Sequence, residues 1–160
     1  LFLEDWDKRM KPLVPLNEKV QALREILDSK FYPSGKKTAM SSRGRLEFRS
    51  ASDSVVKLAS LSSGEQHLVA LLTSMLFAAT PQSLVLIDEP EISLHAAWKH
   101  AFLDDVTRVA GHAGLQVVMA THSTAIINGR WDLVEELHQT PPPAASSPAA
   151  ETDDIEYEDD

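Results

Sequence analysis

Apolar positions along the chain shift between helical and alternating spacing, and each shift predicts an element. Between residues 17 and 31, Val20, Leu23, Leu27 and Phe31 recur at helical spacing with Ile26 beside them, which predicts an amphipathic helix with Asn17 as its N-cap. Upstream, Pro12 and Pro15 are expected to stop any long helix, because proline lacks the amide that a helix interior needs. Tyr32-Pro33-Ser34-Gly35 turns the chain. Leu46 and Phe48 then alternate with Arg45, Glu47 and Arg49, and Val56 and Leu58 alternate beyond the Ala51-Ser52-Asp53 break, so a β-hairpin is predicted. Leu68, Val69, Leu71, Leu72, Met75, Leu76 and Phe77 predict a helix apolar over most of its surface and buried from both sides.

Pro81 closes that helix, and Leu84-Val85-Leu86-Ile87 follows as an unbroken apolar run ending at Asp88. Such a run is expected of a central parallel strand with helices over both faces. Trp98, Phe102, Leu103, Val106 and Val109 keep helical spacing up to Gly111 and Gly114, and a second buried run, residues 115–120, ends at Thr121-His122-Ser123. Strand, helix and strand in this order make a βαβ unit, whose crossover is expected to be right-handed. Residues 131–137 read as a last strand. The predicted fold class is α/β: a largely parallel central sheet flanked by helices, with a small β-hairpin extension.

Composition narrows this picture. A chain of 160 residues builds roughly one domain. Cysteine is absent, which excludes disulfide frameworks, thiolate metal sites and thiol catalysis. No apolar run approaches the roughly 18 residues needed to cross a bilayer, and the start lacks the pattern of a secretory signal, so a soluble, cytoplasmic protein without a membrane partner is expected. The chain opens on Leu1 without an initiator methionine and reads as a piece of a longer polypeptide. Formal net charge is −9, yet the last ten residues carry seven carboxylates and no base, so the remainder is close to neutral. A proline-rich stretch precedes them. Residues 1–139 are therefore expected to form the domain, and residues 140–160 a disordered acidic tail that either solubilises the chain or contacts a basic partner.

Candidate chemistry lies at the strand ends, where open α/β sheets bind their ligands. Asp88 can hold a magnesium ion, usually through water, while its neighbour Glu89 reaches a nucleophilic water. His122 can donate a hydrogen bond to a phosphate oxygen. In Leu61-Ser62-Ser63-Gly64-Glu65, small residues open onto a buried helix, whose free amides and dipole favour a phosphate. Each piece alone has an ordinary reading: Ser62 with Glu65 is also an N-cap with an acidic first turn. Their order and spacing together say more.

From Leu61 to Ser123 the chain resembles the C-terminal half of an ABC-type ATP-binding cassette. Leu61-Ser62-Ser63-Gly64-Glu65-Gln66 resembles the signature motif, Leu84-Val85-Leu86-Ile87-Asp88-Glu89-Pro90 the Walker B strand, Ile92-Ser93-Leu94-His95 the D-loop and Thr121-His122-Ser123 the switch histidine. Transporter cassettes usually carry Leu-Ser-Gly-Gly-Gln and Ala-Leu-Asp at the signature and D-loop. Asp-Glu-Pro-Glu with Ser-Leu-His and Ala-Thr-His-Ser is instead similar to the soluble AAA-type ATPases related to RecF and the overcoming-lysogenisation-defect (OLD) proteins, which serve DNA repair and anti-phage defence, often beside a nuclease.

The resemblance implies ATP and Mg2+ as cofactors. It makes Glu89 the residue that polarises the attacking water, His122 the γ-phosphate contact and Asp88 the magnesium residue. Ser62, Ser63, Gly64 and Glu65 become nucleotide-binding residues, with Ser62 and Gly64 reaching the nucleotide of an opposing subunit in a head-to-tail dimer. Ser93 and His95 fall at the dimer seam, His95 standing where transporters carry aspartate.

Half of such a site is missing. A Walker A loop needs Gly-x4-Gly-Lys-Ser/Thr, and the sole Gly-Lys, Gly35-Lys36, has Lys30 in place of the first glycine and Lys37 in place of the hydroxyl residue. The missing loop is expected upstream, in an N-terminal half of the same protein, so the chain alone is expected not to hydrolyse ATP. The expected function is ATP-driven dimerisation in DNA repair or anti-phage defence, with DNA or a nuclease as further partners. The alternative is a non-catalytic partner-binding module derived from a cassette, against which the retained Asp88, Glu89 and His122 argue. A transporter subunit is disfavoured by the signature and D-loop variants, and the tail carboxylates do not form a preorganised nuclease site. His67, His100, His112 and His138 lack metal-ligand spacing. Lys30, Lys36, Lys37, Arg43, Arg45 and Arg49 form a basic stretch that reads first as a solvated hairpin face and second as a phosphate-backbone contact.

Overall fold

The computed structural model describes residues 10–137. The acidic tail and His138 lie outside the described residues. After a turn at Lys11–Leu13 comes helix α1, Val14–Phe31, three residues earlier than its periodicity predicts. Pro15 sits in the first turn, where its missing amide costs nothing and its fixed φ suits a helix, so it opens the helix instead of stopping it. The N-cap is Leu13, and Asn17 lies inside the first turns without that role.

Strands β1, Lys36–Met40, β2, Leu46–Ser50, and β3, Val55–Val56, form a three-stranded antiparallel sheet in that order. The hairpin expected between β2 and β3 exists, but Leu58 belongs to a turn and the longer pairing is β1 with β2. Strand β1 escaped the sequence pattern because Lys36-Lys37-Thr38-Ala39-Met40 buries only Thr38, which faces Phe48 in the register. Asp28 of α1 accepts a hydrogen bond from the Thr38 amide, which ties the sheet to the helix.

Helix α2, Ser63–Thr73, runs into a π-helical turn, Ser74–Ala78, whose Leu76 carbonyl accepts from Lys19 Nζ at 2.9 Å. It buries Leu68, Val69 and Leu72, with Met75 and Leu76 following, while Ala70 and Phe77 face outward. Burial is therefore one-sided, against the expectation of burial from both sides. Strand β4, Leu84–Asp88, helix α3, Ala96–Ala113, and strand β5, Gln116–Ala120, form the expected βαβ unit, with β4 and β5 parallel and Asp88 opposite Ala120. A short helix α4, Thr124–Ile127, follows.

The fold is α/β, with helices packed beside a small sheet that contains parallel strands, as in P-loop NTPases. Among the described residues the parallel sheet has two strands, and only one of its faces is covered. Ile87 is buried and Val85, Val117 and Met119 pack against the core, whereas Leu84, Leu86 and Val118 are 55%, 72% and 56% exposed. The continuous apolar runs thus mark strands with apolar residues on both faces, one of them open to water. Residues 131–137 form no strand: Trp131–Leu133 is a single turn with Trp131 and Leu133 exposed, and the next four residues have no regular structure.

The core gathers residues of α1, α2 and α3 around Phe31, which is fully buried. Its ring lies 5.7 Å from that of Phe48 in β2 and 6.1 Å from that of Trp98 in α3, so one side chain joins the antiparallel sheet to the βαβ unit. Phe31→Ala is expected to cost about 3–5 kcal/mol in urea unfolding, whereas Leu86→Thr on the open face is expected to stay within about 0.5 kcal/mol. Equal losses for the two would refute this placement of the core.

Candidate functional site

At the start of α2 the chain is extended at Ser62 and then turns helical. Ser62 Oγ accepts from the Glu65 amide at 3.3 Å, and the Ser62 amide donates to Glu65 Oε2 at 2.8 Å, which is a complete capping box. Glu65 is only 3% exposed. Lys36 Nζ lies 2.9 Å from both of its oxygens, and Ser34 Oγ donates to Oε1 at 3.1 Å. Burial pushes the Glu65 carboxyl upward, but the bonds from Lys36, the Ser62 amide and Ser34 outweigh it, and the net displacement is below the ordinary carboxylate range. The Glu65 carboxylate is thus engaged by its own chain. Ser62 and Ser63 remain exposed, and the amides of Ser63 and Gly64 lie in the first turn, where no helical acceptor precedes them.

Gly64 is where the signature-like turn meets the D-loop-like segment. A Cβ there would stand 2.7 Å from the Ser93 carbonyl oxygen, so only glycine permits this approach. Two residues on, His95 Nδ1 accepts from the Ala97 amide at 3.3 Å and caps α3. That bond requires an unprotonated Nδ1 and leaves Nε2 as the donor of the neutral ring. Ser62, Ser63, Gly64, Ser93 and His95 share one open groove of about 600 Å3 that also includes Lys30, Lys36 and Trp98.

The parallel strands build the second part of the site. Their register brings Asp88 and Ala120 side by side, and the Glu89 amide continues the pairing by donating to the Ala120 carbonyl at 2.9 Å. Glu89 then adopts a left-handed conformation, φ 41° and ψ 55°, before Pro90 opens the turn Pro90–Ile92. For a residue with a Cβ this conformation costs roughly 1–2 kcal/mol, and it reverses the chain directly at the strand end. Glu89 Oε1 lies 3.6 Å from His122 Nε2, with the imidazole 91% exposed. Asp88 is exposed at the end of β4.

The predicted residues therefore fall into two groups joined by the turn Pro90–Ile92: Asp88, Glu89 and His122 at the strand ends, and Ser62, Ser63, Gly64, Glu65, Ser93 and His95 along the groove. Asp88, Glu89 and His122 do not line that groove. Among the described residues no cluster of three or more His, Cys, Asp or Glu side chains could hold a metal by itself. Magnesium at Asp88 would need only this one carboxylate if phosphate oxygens and water supplied the other ligands.

Glu91 had no role in the sequence reading. Its Oε1 accepts from Thr121 Oγ1 at 2.7 Å and from the His122 amide at 2.9 Å, across from the turn after β4 to the loop after β5. Burial pushes its carboxyl up, yet the bonds from Thr121 and the His122 amide hold it below the ordinary range. A second acid directly after Pro90 was the only signal, and one sequence cannot show that it would reach the neighbouring loop.

The basic stretch is largely neutralised. Lys30 pairs with Asp105 at 2.7 Å, Lys36 with Glu65, Lys37 with Asp53 at 3.3 Å, and Arg49 with Asp53 at 2.9 Å and Glu47 at 3.4 Å. Only Arg43 and Arg45 of the six lack an acidic partner among the described residues, which favours the solvated face. His67, His100 and His112 are exposed.

Gly64→Ala is expected to lower stability by about 1–3 kcal/mol, since backbone must yield to the added methyl. Lys36→Ala is expected to cost about 3 kcal/mol at pH 7, because it leaves the buried Glu65 carboxylate without its counter-charge. In the parent chain the Glu65 contribution is complete above its unfolded pKa and is lost as pH falls through the lower folded value. In Lys36→Ala burial dominates, Glu65 takes up a proton more readily, and the deficit should shrink as pH is lowered from 7 toward 4. Thermal unfolding across that range checks both signs, and a deficit that grows on acidification would refute the assignment.

No curated protein was found to match the chain. A family model described as "AAA domain, putative AbiEii toxin, Type IV TA system" matches residues 8–128, a span that takes in the capping box, both parallel strands, Glu89 and His122. The match covers most of the chain: the chain belongs to this family of AAA domains, a family of ATPase-like nucleotide-binding modules.

Proposed function

We propose that the chain is the signature-to-switch lobe of an ABC-like AAA ATPase, which hydrolyses ATP with Mg2+ as a head-to-tail dimer and serves anti-phage defence or DNA repair. The observation that carries this reading is the meeting of Glu89 and His122, 3.6 Å apart, at the carboxyl ends of two parallel strands in register. Glu89 would polarise the attacking water, and its left-handed backbone at the end of β4 supports a carboxylate presented beside His122. His122 Nε2 carries a donor into the same solvent-open space and can meet a γ-phosphate oxygen there. Asp88 would hold magnesium through water; the bound ion would neutralise charge building on the phosphate oxygens.

The groove supplies the other half of the chemistry, to a second subunit. Ser62, Ser63 and Gly64 present hydroxyls and first-turn amides at a helix start, an arrangement that favours anions. They lie apart from Glu89 and His122, which suits a groove that serves an opposing nucleotide, with Ser93 and His95 at the seam. Glu65 acts behind them by holding the turn. The uncovered face of β4 and β5, with Leu84, Leu86 and Val118, supports a further part of the same domain packing there and bringing the phosphate loop that these 160 residues lack. The family description, which names a putative toxin of a type IV toxin–antitoxin system, supports the defence branch; DNA or a nuclease would be the downstream partner.

Mg-ATP titrated into the chain alone is expected to give no binding, and binding is expected once a polypeptide carrying the phosphate-loop half is added. In that mixture Glu89→Gln should lower turnover by at least about 100-fold while keeping ATP and the dimer. Tight binding by the chain alone would overturn the divided site. Turnover unchanged in Glu89→Gln would overturn the assignment of the base.

A further inference from the structure

We propose that Glu91 is the positioning residue of the switch: anchored in the turn after β4, its carboxylate fixes the backbone of Thr121 and His122 after β5 and so sets where the imidazole stands. This rests on the reading of His122 as a γ-phosphate contact. The geometry is independent of that reading.

His122 is held chiefly through its backbone. Its side chain is almost fully exposed, so no packing fixes the ring, and its one ionic neighbour among the described residues, Glu89, is 3.6 Å away. The position of the ring is then set by its backbone. That backbone amide donates to Glu91 Oε1 at 2.9 Å, and the preceding residue donates to the same oxygen through Thr121 Oγ1 at 2.7 Å. Thr121 Oγ1 in turn accepts from the Ser123 amide at 3.0 Å. Three successive residues of the switch loop are therefore tied, directly or through one hydroxyl, to a single carboxylate oxygen. Hydrogen bonds to an ionised acceptor are the stronger kind, and a half-buried site strengthens them further.

Glu91 Oε2 shows what this arrangement costs. It is buried and finds no hydrogen-bond partner among the described residues, a condition that lowers stability unless the other oxygen compensates. A carboxylate kept in this state is costly for stability alone, and a shorter polar residue would avoid the orphaned atom. The cost is understandable where a loop has to be held in register with the neighbouring strand end. Glu91 is not a catalytic residue on this account, because it touches no reacting atom; it acts through His122.

The test separates position from turnover. In the whole chain without nucleotide, exchange of the His122 amide with water is read by NMR for the parent chain and for Glu91→Ala, Glu91→Gln and Thr121→Val. Glu91→Ala should speed exchange at least about tenfold. Glu91→Gln, which retains an acceptor oxygen, should keep most of the protection, and Thr121→Val should fall between them. Exchange in Glu91→Ala equal to the parent rate overturns the proposal, and Glu91→Gln together with Thr121→Val decides it if Glu91→Ala does not fold. In the mixture with the phosphate-loop half, Glu91→Ala should lower kcat with little change in KM, and Glu91→Gln should restore most of it. A KM effect alone would overturn the positioning role. If the parent mixture itself shows no turnover, the ATPase reading fails, while the exchange result still decides whether Glu91 holds the loop.

Discussion

A carboxylate can leave water only where donors replace those it loses, and the arrangement around Glu65 follows from that demand. One oxygen takes Lys36 and Ser34, the other takes Lys36 and the Ser62 amide, so three groups from three segments make four hydrogen bonds to one side chain. Lys36 opens β1, Ser34 closes the turn after α1, and Ser62 caps α2. The antiparallel sheet, the first helix and the signature-like turn are thereby held in one relation. Phe31 reinforces it with apolar contact, since its ring touches both the sheet and α3. Glu65 supplies specificity of arrangement and Phe31 the burial that stabilises it.

The same logic recurs at the strand ends. Glu91 spans two loops as Glu65 spans three segments, and residues beside each stay exposed to solvent: Ser62 and Ser63 beside Glu65, His122 beside Glu91. The two acids hold these segments, and exposed polar residues stand beside them. His95 extends the pattern, because its imidazole caps α3 as an aspartate would while the residue lines the groove. The close approach of Gly64 to Ser93 brings the turn before α2 against the segment before α3.

Some features were legible along the chain and others were not, for identifiable reasons. The βαβ unit was legible because two unbroken apolar runs bracket a helical one. Strand β1 was not, because two lysines and a threonine gain their strand from pairing with β2 and from the Asp28 contact at Thr38. The start of α1 was misplaced because proline inside a helix and proline in its first turn have opposite effects, and the sequence does not mark which applies. The open face of the parallel sheet was misjudged for a related reason: an apolar run records that both faces suit burial, and it does not record what covers them.

Sequence alone determined the order of the chemistry: a small-residue turn onto a helix, an acidic pair after one apolar run and a histidine after the next, at spacings that place them in one α/β unit. These are local properties, set by propensity and periodicity. Tertiary structure decided which of those residues face solvent and which hold the others. Glu65 lay within the predicted site and proved to be its internal anchor, whereas Glu91 lay outside it and proved to touch the His122 backbone. A carboxylate reads the same in a sequence whether it binds a ligand or a neighbouring loop. Its partners, contributed from 29 and 31 positions away, come within reach only when the fold closes.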